Sequence, residues 1–101
     1  MSDRHQVRLL PVAEEDVEEI VGYVALDDAE AASKLADRIE ANLERLSSFP
    51  ELGRVPRDGD LREAGYRYVI IGEWLAFYTI EKRTVFVHRI LHGRRDDKEL
   101  L

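Results

Sequence analysis

The carboxyl-terminal half of this 101-residue chain gathers the residues that could do chemistry. Arg54, Arg57, Arg62, Arg67, Arg83, Arg89, Arg94 and Arg95 lie there with Lys82 and Lys98, and His88 and His92 fall in or just after the last apolar run. Cations and imidazoles together suit phosphate. Cleavage of RNA by its own 2′-hydroxyl needs a base, an acid for the departing 5′-oxygen and cations on the phosphorane. Two histidines and several arginines can supply that set. Each residue also has a plainer role. His88 reads as a hydrogen-bonded histidine in the middle of a strand, and Arg89 as the partner of a helix carboxylate. Gly93 marks a backbone turn that would present Arg94 and Arg95. If alternate strand residues share a face, Arg89 groups with Val85, Val87 and Leu91, and His88 with Phe86 and Ile90. Histidines four apart in a strand are not a metal signature, so neither a metal nor any other cofactor is expected. There is no phosphate-cradling glycine loop and no nucleophile elbow.

These residues need a frame, and the chain's patterning supplies one. His5–Leu10 alternates as a short strand. Pro11 suits a first helical position, and Glu14, Glu15 and Asp16 follow where the helix dipole favours anions. Ala13, Val17, Ile20, Val21 and Val24 form an apolar stripe ending near Leu26. Asp27 and Asp28 are cap candidates, Asp27 forming a capping box with Glu30. A second stripe, Ala32, Leu35, Ala36, Ile39, Leu43 and Leu46, runs to the stop at Pro50. Pro50–Asp60 reads as loop, with β pattern from Leu61. Tyr66–Ile71, Trp74–Ile80 and Val85–Leu91 read as strands joined by the turns Gly72-Glu73 and Glu81–Thr84, followed by a charged tail, His92–Leu101. The expected fold is α+β: an N-terminal strand, then an antiparallel helix hairpin packed on a small, mostly antiparallel sheet, in the order β-α-α-β-β-β. Tyr66, Tyr68, Trp74, Phe77, Tyr78 and Phe86 all fall in strands, where core or interface packing is expected ahead of base stacking.

Length and composition bound the rest. The size suits a single domain spanning 1–101. The absence of cysteine excludes a disulfide scaffold, a thiolate metal site and a cysteine nucleophile. No apolar run approaches membrane length and no secretory h-region opens the sequence, so a cytoplasmic protein without membrane association is expected. The formal net charge is −6. It divides unevenly: residues 1–51 carry 13 acids and 5 bases, giving −8, and residues 52–101 carry 8 acids and 10 bases, giving +2. An acidic chain is a poor generic coat for phosphate.

Four stretches carry a family resemblance. They are Pro11–Ile20, Leu46–Arg54, Leu61-Arg62 with Gly65–Tyr68, and Arg89-Ile90-Leu91-His92-Gly93-Arg94-Arg95-Asp96. In this order and spread over nearly the whole chain, they resemble the RelE/ParE superfamily of type II toxins. The resemblance implies an α+β toxin neutralised by a cognate antitoxin, as a homodimer or a heterotetramer with that antitoxin. RelE-like members cut mRNA on the ribosome. By that likeness Arg67, Arg95 and His92 would be catalytic, while the lysine positions fall at Asp58 and Asp60 and the tyrosine position at Leu101. Acidic groups repel phosphate and leucine transfers no proton. ParE-like members, which resemble this chain better, bind and poison DNA gyrase. That branch makes Arg62, Arg67, Arg89, His92, Arg94 and Arg95 the expected target-binding residues. A ribosome-dependent endonuclease and an inactive antitoxin-binding module are the alternatives.

Overall fold

A computed structural model describes residues 4–93 and Leu101. Its elements are β1 (Gln6–Leu9), α1 (Pro11–Ala25), α2 (Ala29–Ser48), α3 (Gly59–Glu63), β2 (Arg67–Ile71), β3 (Trp74–Glu81) and β4 (Thr84–His92). One sheet runs in the order β1-β4-β3-β2. β4 is antiparallel to β3 and β3 to β2, while β1 lies parallel to β4. The expected α+β order is present, with α3 added.

Local chemistry explains the element boundaries. Pro11 opens α1, where a missing N–H costs nothing. Asp28, rather than Asp27, caps α2: its Oδ1 accepts from the Ala31 N–H at 3.0 Å. The capping box expected from Asp27 therefore gives way to a cap one residue later. The end of the expected Pro50–Asp60 loop and the start of the β pattern expected from Leu61 instead form α3. Asp58 is the cause, since its Oδ1 accepts from the N–H groups of both Asp60 and Leu61. Gly65, at φ 86, then closes the turn with a Schellman pair, Tyr66 N–H to Leu61 O and Gly65 N–H to Arg62 O.

The helix hairpin covers one face of the sheet. Ala13 and Ile20 from α1 and Ile39, Leu43 and Leu46 from α2 pack with Ile71, Ala76, Tyr78, Val85, Val87 and Ile90. Burying each large side chain of this kind contributes roughly 1.5–3 kcal/mol, so the two apolar stripes hold the layers together. Along β4 the core residues fall at Val85, Val87 and Ile90. Simple alternation breaks between the last two. Arg89 pairs with Phe77 but Val87 pairs with Tyr78, so His88 is an extra residue, a β-bulge. This overturns the grouping of His88 with Ile90 expected from strict alternation.

The Pro50–Asp58 loop is tied down through a buried tyrosine. Tyr78 is fully buried, donates its hydroxyl proton to Pro50 O at 2.7 Å and accepts from the Gly53 N–H at 2.8 Å. Burial, opposed by the Gly53 hydrogen bond and by Arg67, raises its pKa above the ordinary 10.0. Gly53 is needed for space, since a Cβ there would stand 2.5 Å from Tyr78 Oη and 2.8 Å from Tyr68 O. Tyr78→Phe, which leaves the Gly53 N–H without its acceptor, is expected to lose about 1–3 kcal/mol in urea unfolding. Gly53→Ala is expected to lose about 3 kcal/mol by overpacking.

Candidate functional site

β1 pairs with β4 only as far as Leu9 and Val87, and the chain then turns into α1. Beyond that point the outer edge of β4 has no strand beside it. Asp16 of α1 fills the gap. Its Oδ2 accepts from the Ile90 N–H at 3.0 Å and from Arg89 Nε at 2.8 Å, and its Oδ1 accepts from Arg89 Nη2 at 2.9 Å. Asp16 thus acts as a substitute strand edge and as a bidentate partner for arginine. It is 7 % exposed and stands on the buried stripe between Ala13 and Ile20, not in the first turn with Glu14. The hydrogen bond to Asp16 outweighs burial and raises the Arg89 pKa above its already high ordinary value. Arg89, one of the expected target-binding residues, is therefore held by the protein's own helix.

His88 is held as firmly. Nε2 lies 2.9 Å from Thr79 Oγ1 and Nδ1 lies 3.3 Å from the Tyr66 hydroxyl, with the Tyr66 ring edge-to-face at 4.9 Å. Burial lowers His88 below 6.5 against a smaller upward pull from Glu81, and burial raises Tyr66 above 10.0. Both ring nitrogens serve the sheet, the role expected of a mid-strand histidine.

The remaining candidates are dispersed. Arg67 opens β2, and its Nη1 donates to Gly53 O at 3.0 Å and Glu51 O at 3.3 Å, binding the loop to the sheet. Arg62 is exposed in the last turn of α3. His92 ends β4 with its ring perpendicular to that of Trp74, centroids 5.2 Å apart. Arg94 and Arg95 lie outside the described residues. Arg67 pairs with Tyr78 and His92 with Trp74, four positions apart on β3. With rises of about 3.4 Å and strand spacings of about 4.8 Å, their backbones stand roughly 16 Å apart. The structure does not bring Arg67 and His92 to one phosphate. Asp58, at an expected lysine position, is committed to capping α3. Among the described residues no three His, Asp or Glu side chains gather as a metal site, and no helix is long and apolar enough to cross a membrane.

What the molecule does offer is an open groove of about 640 Å³ between α1, α2 and β1. Val7, Leu9, Val17, Ile39 and Leu43 form its apolar surface, with Arg4 and His5 at one rim and Glu40 and Glu44 at another. The groove adjoins the free edge of β1. Gln6 N–H and Leu10 N–H are spent on Arg83 O and Val87 O. In a parallel ladder the residues between them, Val7 and Leu9, turn their amides and carbonyls outward. Val17, Ile39 and Leu43 read in the sequence as members of the two apolar stripes and not as the wall of a groove. The signal was there in Asp16, a carboxylate on an apolar stripe, which indicated that α1 meets a strand edge as well as a face.

This arrangement is the fold of solved toxin–antitoxin structures. The chain matches the chromosomal ParDE system of P. aeruginosa with a TM-score of 0.74 at 17% identity, covering 90% of this chain and 98% of that one. It matches the RelBE2 toxin–antitoxin complex of Mycobacterium tuberculosis with a TM-score of 0.57 at 21% identity, covering 91% and 94%. Residues 7–97 match the family described as ParE toxin of type II toxin-antitoxin system, parDE, and the chain belongs to that family. It is 41% identical over 63 residues to Toxin ParE3 of Caulobacter vibrioides, a match that spans 62% of this chain and 60% of the relative's length.

Two outcomes follow from the site's geometry. Asp16→Ala removes the bidentate carboxylate from Arg89 and leaves the Ile90 amide unsatisfied, and is expected to lose about 3–5 kcal/mol by urea denaturation. His88 gives an acid-side dependence. Its folded value is depressed, so below 6.5 the unfolded chain takes up the proton first and stability falls as pH falls. Unfolding midpoints at about pH 7 and about pH 5 are expected to differ less in His88→Gln than in the parent.

Proposed function

We propose that this chain is the toxin of a type II toxin–antitoxin pair, that it acts by binding DNA gyrase, and that a cognate antitoxin neutralises it. The observation that carries this reading is the match to the ParE toxin family over residues 7–97. The arginine commitments agree with it. Arg67, one of the residues an RNA-cleaving centre would use, holds loop carbonyls, while Arg89, named only for target binding, holds Asp16. A toxin that works by occupying a protein surface needs no general base. The exposed Arg62, His92 beside Trp74, and the segment bearing Arg94 and Arg95 are the residues to test against gyrase.

The groove beside β1 is the surface we assign to the antitoxin, with the protein acting in the cytoplasm. An extended segment could pair with the outward amides of Val7 and Leu9 while its apolar side chains enter the groove, combining strand addition with groove filling. The name of the P. aeruginosa system, ParDE, pairs a toxin with a second component, which supports a partner of this kind.

Purified toxin is expected to inhibit gyrase supercoiling, and inhibition is expected to weaken in Arg94→Ala/Arg95→Ala. Full supercoiling in the presence of folded protein sinks the gyrase reading. Ribosome-dependent message cleavage on induction would replace it with the endonuclease, and absence of growth arrest with an inactive binding module. For the antitoxin complex, an apolar groove with rim charges of both signs predicts affinity nearly flat between low and physiological salt in a calorimetric titration. A steep salt dependence counts against this placement.

A further inference from the structure

A second concavity lies on the other side of α1, between its carboxyl-terminal half and the end of the β3–β4 ladder. It has a volume of about 330 Å³ and no part in the groove beside β1. Tyr23, Trp74 and His92 supply aromatic walls, Glu19 stands at the rim, and the Asp16–Arg89 pair lies at its base. Tyr23 is 74% exposed. α1 carries Glu14, Glu15, Asp16, Glu18 and Glu19 and neither lysine nor arginine. Asp16, Glu19 and Glu15 are all near enough to act on the Arg89 charge. Among the described residues that line the cleft, the carboxylates of Asp16 and Glu19 stand against the one guanidinium of Arg89, and Glu15 adds negative charge from the preceding turn of α1.

We infer that this cleft is a docking site for an arginine side chain presented by a basic segment of a partner protein. The cleft differs in character from a plain acidic surface, because its walls are aromatic. A cation over an indole or phenol ring is attracted by the ring quadrupole, and the guanidinium plane can also stack on it. Glu19 supplies opposite charge beside those rings, and Glu15 lies one turn further along the same face of α1. Arg89 does not forestall the incoming cation, since its Nε and Nη2 are already satisfied by Asp16. The same charge excludes phosphate and acidic segments, so a protein with exposed arginine is the class of partner that fits. The inference is independent of gyrase as target.

Trp74 is the chain's single tryptophan, so its fluorescence reports directly on the cleft. The probes are acetyl-Gly-Arg-Gly-amide and its lysine and glutamate counterparts, titrated into the intact protein at low salt. The arginine peptide is expected to give a saturable change in emission, the lysine peptide a weaker one and the glutamate peptide none. Glu15→Gln/Glu19→Gln is expected to weaken arginine binding about three- to tenfold. Asp37→Asn/Glu63→Gln, which removes equal charge at positions lining neither concavity, is expected to leave it unchanged. These four acidic residues are exposed, and circular dichroism checks that each variant is folded. No saturable response, or equal weakening in both double variants, overturns the inference. Tighter peptide binding in Arg94→Ala/Arg95→Ala also overturns it, because the chain's own arginines would then be the occupant.

Discussion

The interaction on which the rest of this molecule depends is the contact of Asp16 with Arg89 and the Ile90 amide. β4 is the second strand of the sheet, yet its neighbour β1 is too short to cover it. An uncovered strand edge near a helix is a set of backbone donors that must find partners. Asp16 satisfies one of them and takes a guanidinium with the same carboxylate. A charged pair this close to the core gives little net stability on its own, but losing either member is costly. That asymmetry fixes the register of α1 on the sheet, and the axial position of the helix then sets the groove on one side of α1 and the aromatic cleft on the other.

The bulge at His88 belongs to the same arrangement. The extra residue lets Val85 and Val87 face the helices below it and Ile90 face them above it. His88 itself is taken up by Tyr66 and Thr79. Tyr78 plays the corresponding part at the opposite edge, where it and Arg67 bind the loop after α2 through backbone groups. At both edges, polar side chains do what a longer strand would otherwise do. Many of the residues whose types suggest chemistry are used in this way.

Much of the architecture was legible from sequence because it rests on periodic burial. The stripes from Ala13 and from Ala32, the stop at Pro50 and the two-residue turn at Gly72-Glu73 all follow from local rules, and each is present. What was not legible depends on contacts distant in sequence or on a single misplaced residue. Alternation could not foresee the bulge, because one inserted residue leaves composition unchanged and inverts every later side chain. α3 was hidden because its five residues carry little periodicity, although Asp58 and Gly65 bracket it with a cap at each end. The pairing of Arg89 with a helix carboxylate was legible in kind, but its partner only emerges once α1 is laid against β4. Arg67 and His92 look like neighbours in composition and are not, since sharing a sheet says nothing about position along it.

β1 and β4 meet across most of the chain. Val7 pairs with Val85, a separation of 85 − 7 = 78 residues. Closing a loop of that length costs roughly 2 kcal/mol more than closing one of ten residues. Parallel pairing of such distant segments is a slow route to a folded state. On the ribosome the consequence is one of timing. β4, which lies between β1 and β3, is synthesised after every other strand of the sheet, so the helix hairpin emerges long before the surface it must cover. Until β4 is made, the chain holds unpaired apolar stripes and has neither groove nor cleft. Any activity that depends on the assembled sheet begins only after β4 has left the exit tunnel.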